Sequence, residues 1–380
     1  MAELNSRILQ TRTIAMSLPD TGIQETPMRE PHQKFKGHTD NVTGVIHLPA
    51  RQRIITCSDD GSLRLWNCKN GLQIGKDWRD GENKVNAVAL SPDAKTVASG
   101  SDDGAVRLWD IGRGKMIDKW MGHSEAVWAV CWGRDGKQVV SVSGSGDGTT
   151  RVWDVESGNS ETLGPVAIAT TTLDAVFSNN GHVTVYSPDQ TMIATGGRGI
   201  NVWDAKTFEL LTTLTVAQPA CSLVWAVDGK SLISGSHEGG DIITWNTTTW
   251  KQIALWPTEH RHCIHAIAIS PNGRILASAS VDQTARLWNL ENGQPISSPI
   301  QHPNSVLCIS FSVGGELLAT GCSDNNAYTW DITTIIKEAG FNDLLLDSDV
   351  SIITFPKYYL PLTFISPFFS FRPLRYLLIS

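Results

Sequence analysis

Between residues 85 and 109 the chain alternates in polarity in three short bursts. VNAVAL (85 to 90) and TVASGS (96 to 101) put apolar and small polar side chains on alternate positions, the period of a half-buried β-strand and not of a helix. Ser91-Pro92-Asp93 supplies a turn between them, and Asp103-Gly104 makes a tight turn into a third strand, AVRLW (105 to 109). Strands of five or six residues joined in this way predict antiparallel hairpins, with the segment after the tryptophan as a fourth strand.

The pattern then repeats. SDDGAVRLWD (101 to 110) has copies at 58 to 67, 145 to 154, 280 to 289 and 322 to 331, and two degraded ones, GGRGINVWD (196 to 204) and SHEGGDIITWN (236 to 246), fill the gap. The seven closing tryptophans, Trp66, Trp109, Trp153, Trp203, Trp245, Trp288 and Trp330, are spaced by 43, 44, 50, 42, 43 and 42 residues. One four-stranded unit cannot bury both of its apolar faces, whereas units stacked radially bury them against neighbours and leave only short edges. The expected fold is all-β: a seven-bladed β-propeller of four-stranded antiparallel blades over residues 32 to 331. Residues 1 to 31, polar and carrying Pro19, Pro27 and Pro31, are expected to be a disordered leader, and 332 to 380 a C-terminal tail.

Composition narrows the chemistry. A net charge of −7 argues against a phosphate-binding surface, so nucleic acid is not an expected partner. Seven cysteines, an odd number set mostly in strand-like runs, read as small buried thiols of a reducing compartment, and the N-terminus lacks the apolar run of a secretory signal. An intracellular protein of the cytoplasm or nucleus is expected. In the tail, Ile332, Ile335, Ile336 and Ala339 stand at helical spacing. The segment VSIITFPKYYLPLTFISPFFSF, from 350 on, carries one charge, Lys357, but also Pro356, Pro361 and Pro367. Its length would span a bilayer while its prolines would break a helix, so an anchor, an interfacial tail and a poorly structured or non-native extension all stay open.

The Gly-His pairs at 37-38 and 122-123, the Asp six residues before a closing Trp, and the Trp-Asp dipeptides at 109-110, 153-154, 203-204 and 330-331 resemble the WD-repeat family of β-propellers over about 300 residues. The wording of the repeats resembles stand-alone fungal WD-repeat proteins and the propeller halves of fungal signalling NTPases. The resemblance implies that the lone strand at 32 to 36 completes the last blade and closes the ring. It also implies buried His-Ser-Asp-Trp tetrads: His38, Ser58, Asp60 and Trp66; His123, Ser145, Asp147 and Trp153; His260, Ser280, Asp282 and Trp288. A Ser, His and Asp set invites a hydrolase reading, but a triad repeated three times in one chain is scaffold chemistry. Blade two has Gly81 at the His position, blade seven has His302 and Asp324 with Cys322 in place of the Ser, blade four has Phe177 and Gly197, and blade five has Val216. Blades four and five are therefore the expected weak sector. The cluster His260, His262, Cys263 and His265 has metal-ligand types, but His260 is committed to a tetrad and Ile264 and His265 alternate across a strand. No metal or cofactor is expected.

The family also implies a docking face where the His loops and Asp turns meet. Presented there would be the side chains three and five residues after the loop His, and the one before the tetrad Asp. These are Asn41, Thr43 and Asp59; Lys84, Asn86 and Asp102; Ala126, Trp128 and Gly146; and Cys263, His265, Val281, Ser305, Leu307 and Ser323. Trp128 is the candidate anchor, or else packs into a neighbouring blade, and Asp59 and Asp102 suit a basic peptide. The expectation is a non-enzymatic interaction scaffold, a single propeller working within a complex of other proteins or peptides. A ligand-sensing propeller related to the NTPase proteins is the alternative.

Overall fold

The computed structural model describes residues 29 to 49, 52 to 144, 147 to 163 and 183 to 345, so most of the leader, the tail beyond 345, and Phe177 lie outside the described residues. Seven four-stranded antiparallel sheets follow one another around a ring. In blade one the strands are Val42–Leu48, Arg53–Ser58, Ser62–Asn67 and Trp78–Arg79, running from the centre outward. Blades four and five, expected to be weak, each have a full set of four strands, Val183–Tyr186 to Leu210–Thr215 and Ala220–Trp225 to Gln252–Trp256.

The ring closes across the two ends of the repeat. Gln33–Lys36 pairs with Asn326–Asp331 as the outermost strand of blade seven, in the register Gln33 to Thr329 and Phe35 to Ala327. The closing strand is held by more than its ladder. Phe35 is buried against Val42, Ala327 and the Trp66 ring, whose centroid lies 5.8 Å away, so one side chain clamps blade seven to blade one. Lys34 lies over the Tyr328 ring at 5.0 Å and 3.6 Å from Asp324.

Each interblade core is built from alternate residues of two neighbouring sheets. Ala98, Val106, Leu108 and Trp120 of blade two meet Val127, Val130, Val139 and Trp153 of blade three, and Trp120 stacks on Trp153 at 5.5 Å. Trp78 stands in the same relation to Trp109 at 6.4 Å. A glycine makes room for this seam. Gly158 has φ +70°, and a β-carbon there would lie 3.0 Å from the Trp120 indole nitrogen, so the turn needs glycine for conformation and for space.

Beyond the last blade an α-helix runs from Ile332 to Glu338, with Ile332, Ile335 and Ile336 buried. Asp331, the acid of the last Trp-Asp dipeptide, caps it by accepting from the Thr334 amide at 2.9 Å. A 3-10 turn, Asn342–Leu345, buries Leu344 and is held to blade six by Asn272, whose side-chain amide donates to the Leu344 carbonyl at 2.9 Å. No helix among the described residues is long and apolar enough to cross a membrane, and the apolar segment from 350 on lies outside them.

Removing residues 1 to 36 takes the outer strand from blade seven and Phe35 from the seam. A clear fall in melting temperature or aggregation should follow, whereas removal of 1 to 28 should leave the melt unchanged. Equal melting temperatures for the two truncations, measured by circular dichroism, would contradict closure by this strand.

Candidate interaction site at the mouth of the channel

The innermost strands of the seven blades surround a central channel of about 1390 Å³. Six of them begin with the same defect. The ladder register slips by one residue between Val42 and Gly44, Val85 and Ala87, Val127 and Ala129, Ala220 and Ser222, Ile264 and Ala266, and Val306 and Cys308. A bulge leaves one residue unpaired and re-aims its side chain. The residues so exposed are Thr43, Asn86, Trp128, Cys221, His265 and Leu307, and all six line the channel.

Of the residues singled out from the sequence for the docking face, Asn41, Thr43, Asp59, Lys84, Asn86, Asp102, Trp128, His265, Val281, Leu307 and Ser323 lie on this wall. Ala126 and Cys263 join them, Gly146 lies outside the described residues, and Ser305 is not on the wall, its hydroxyl donating to the Val281 carbonyl at 3.2 Å. Cys221, Glu125, His237, Glu238 and Arg261 were missed. Cys221 was within reach, since it stands five residues after Val216 just as Thr43 stands five after His38.

The wall is polar and partly neutralised. Asp59 accepts from Asn41 at 3.0 Å and from the Lys84 ammonium at 3.1 Å, and that bond raises the Lys84 pKa above its ordinary value. Asp59 is thus already paired within the wall. Asp102 is held by a neutral group, the Asn86 amide, at 2.8 Å, and Asn86 also donates to the Val127 carbonyl at 3.2 Å. Asn86 thereby joins Asp102 to the strand that carries Trp128. Trp128 itself is half-buried, and its indole N–H meets no acceptor among the described residues. On the far side, burial pushes the His265 imidazole down, and His237 nearby adds to the shift.

Below this mouth each blade carries a buried hydrogen-bond chain. In blade one the Trp66 indole donates to Thr56 Oγ1 at 2.8 Å, Thr56 donates to His38 Nε2 at 2.7 Å, and His38 Nδ1 donates to Asp60 at 2.8 Å. Blade three repeats it with Trp153, Ser141, His123 and Asp147 at 2.7, 2.7 and 3.1 Å. Blade six repeats it with Trp288, Ser278, His260 and Asp282 at 2.9, 2.7 and 2.8 Å. The hydroxyl is thus not the one expected. Ser58 and Ser280 instead staple the loop, donating to the carbonyls of Asp40 at 3.0 Å and His262 at 3.2 Å, and Ser145 lies outside the described residues. Cys322 is their counterpart in blade seven, 3.2 Å from the Asn304 carbonyl, and Thr320 is that blade's tetrad hydroxyl. The reason is register. Each closing Trp lies opposite a residue of the second strand, Ile54 for Trp66 and Leu276 for Trp288, and the hydroxyl two positions further on shares its face.

The other blades vary the chain. In blade seven His302 reaches Thr320 at 2.8 Å but turns its other nitrogen to the Ile300 carbonyl, and Asp324 accepts from the Tyr328 hydroxyl instead. In blade two the bond from Trp109 to Ser99, at 2.9 Å, is not continued by a histidine, and Arg107, 2% exposed, bonds Asp80 and Asp103, both at 2.9 Å. Blades four and five keep only the indole bond, Trp203 to Thr195 at 3.1 Å and Trp245 to Ser234 at 3.2 Å. Burial opposes ionisation of Asp60 and Asp282, but bonds from His38 with Ser62, and from His260 with Thr284, outweigh it and hold both carboxyls well below the usual range. His38, His123 and His260 are buried at 8%, 5% and 3% exposure, with both ring nitrogens bonded inside the blade. Among the described residues no group of three or more His, Cys, Asp or Glu could hold a metal ion.

A closed ring of seven such blades defines a β-propeller. The family model for the WD domain, G-beta repeat, matches residues 29–67, 76–110, 114–154, 251–289 and 293–331, just over half of the chain, and the chain belongs to this family. The unmatched interval falls on blades four and five, two of the three blades in which no histidine continues the indole bond. Among curated relatives, "Cell division cycle 20.1, cofactor of APC complex" of Arabidopsis thaliana is 27% identical over 192 residues, 46% of this chain and 38% of that protein. "WD repeat-containing protein slp1" of Schizosaccharomyces pombe is 27% identical over 47% of this chain and 36% of its own length. "Cell division cycle 20.5, cofactor of APC complex" of Arabidopsis thaliana is 28% identical over 62% of this chain. The chain spans between about a third and just over half of the length of these relatives.

Replacing Thr56 by Val keeps the shape but leaves the Trp66 indole and the His38 ring each short of a buried partner. The loss should be about 2 to 4 kcal/mol in urea unfolding, against about 1 kcal/mol for Ser58→Ala. The same order is expected for Ser278→Ala over Ser280→Ala. Equal losses at the paired sites would contradict the assignment.

Proposed function

We propose that the chain is a non-enzymatic interaction adaptor, which takes a peptide segment of a partner protein across the channel mouth and works within a larger assembly. The observation that carries this reading is Trp128. A bulge aims it at the channel, it remains half-exposed there, and its indole N–H has no acceptor among the described residues. An aromatic ring with a donor unpaired among the described residues, on a concave wall, suits a peptide, whose carbonyls can accept from it while its side chains cover the ring. Asp102, joined to the Trp128 strand through Asn86, and exposed Glu125 make this side of the mouth suited to a basic side chain. The printed names of the Arabidopsis relatives describe cofactors of a complex, which supports an accessory role in an assembly. They lend no support to a propeller related to NTPase signalling proteins.

Affinity purification with quantitative mass spectrometry tests this. Trp128→Ala should weaken capture of at least one partner by about thirtyfold, equivalent to about 2 kcal/mol, with an unchanged melting temperature. Asp102→Asn should weaken the same partner most at low salt, and Asp59→Asn, whose carboxylate is already paired, should do less. Wild-type capture of every partner by folded Trp128→Ala would overturn the reading.

A further inference from the structure

The chain has seven free cysteines, and four of them have an oxygen partner. Cys57 meets the Thr43 hydroxyl at 3.3 Å, Cys131 the Thr184 hydroxyl at 3.7 Å, Cys308 the Val42 carbonyl at 3.7 Å and Cys322 the Asn304 carbonyl at 3.2 Å. Cys221 and Cys263 differ. They stand on neighbouring inner strands at the seam between blades five and six, each next to a residue of the Ser222 to Ile264 bond, and both line the channel although they are only 6% and 8% exposed. Cys221 is the bulged residue of its strand, and Cys263 immediately precedes Ile264, the first residue of the neighbouring inner strand. The Ser222 hydroxyl donates to the Ile264 carbonyl at 3.2 Å and fixes the spacing of the two strands at this point.

We propose that Cys221 and Cys263 form a peroxide-responsive dithiol site, which closes to a disulfide between blades five and six. The oxidant is a small peroxide entering through the channel. The Cys263 sulfur attacks one peroxide oxygen, the O–O bond breaks, and a sulfenic acid and one water result. The Cys221 sulfur then attacks the sulfenic sulfur, the S–O bond breaks, and the disulfide forms with release of a second water. The thiols give up two electrons and the peroxide takes them. The neighbouring Cys263 thiol, and then burial, push the Cys221 thiol up, so Cys221 must lose its proton as it attacks the sulfenic sulfur, and that proton leaves with the second water. The location gives the bond a consequence. Blade five has no tetrad histidine, so its seam with blade six is one that a cross-link would strengthen. A disulfide is consistent with a reducing compartment, where such bonds are transient and redox-sensing.

The test uses the full chain treated with hydrogen peroxide and digested without reduction. The expected products are a peptide pair joined through Cys221 and Cys263, a melting temperature raised by at least about 2 °C, and reversal of both by dithiothreitol. Cys221→Ser and Cys263→Ser should each abolish the joined pair and the rise, while Cys68→Ser should keep both. Because the wild-type digest is read first, a variant that fails to fold does not decide the matter. Free thiols at both positions after treatment, sulfinic acid without linkage, or linkage of either cysteine to another partner would overturn the proposal.

Discussion

One hydrogen bond recurs in all seven blades: the indole N–H of the closing tryptophan donates to a serine or threonine hydroxyl on the second strand. Its necessity follows from burial. The tryptophans pack in the interblade cores at 2% to 6% exposure, and an indole donor without an acceptor there costs about 1 to 3 kcal/mol. The hydroxyl satisfies it only if the second and third strands pair in one register, so the bond fixes the sheet as well as the side chain. Everything further along the chain is an extension. Where a histidine and an aspartate continue it, the loop above is tied to the sheet, as in blades one, three and six.

The docking wall depends on the same geometry. The bulge at the start of each of six inner strands, present with or without a histidine tie above it, delivers one side chain to the channel. The scaffold repeats while the delivered residue does not: Thr43, Asn86, Trp128, Cys221, His265 and Leu307 differ in size, polarity and chemistry. That is how a repetitive frame presents a non-repetitive surface. The uniform residues hold the ring and the varied ones face what it binds.

Much of this was legible from the period of the tryptophans, since seven units with two apolar faces each have few ways to pack. The closing strand was legible too, because the last unit was one strand short. The tetrad hydroxyl was not. Ser58 and Ser280 stand in the conspicuous part of the repeat, two residues past Thr56 and Ser278, and all four side chains lie on the same face of their strands. The distance from the hydroxyl to the tryptophan varies from 8 to 12 residues with the length of the intervening turn, so fixed spacing from the tryptophan selects the wrong residue. Strand register decides it, and register belongs to the sheet. The buried ion pairs of Arg107 were hidden for a similar reason, since its partners Asp80 and Asp103 lie 27 and 4 residues away.

The central claim is that the buried chain from indole through hydroxyl to histidine and aspartate grades the tightness of the ring. Blades four and five, which stop at the hydroxyl and have Asn201 and Ile243 where blade two has the ion-paired Arg107, are then its loosest part although their strands are complete. Native-state hydrogen exchange followed by mass spectrometry measures this directly, because amide opening reports local stability. The account predicts faster exchange in the strands from Val183 to Trp256 than in those of blades one, three and six. Uniform protection around the ring, or the slowest exchange in blades four and five, would contradict it.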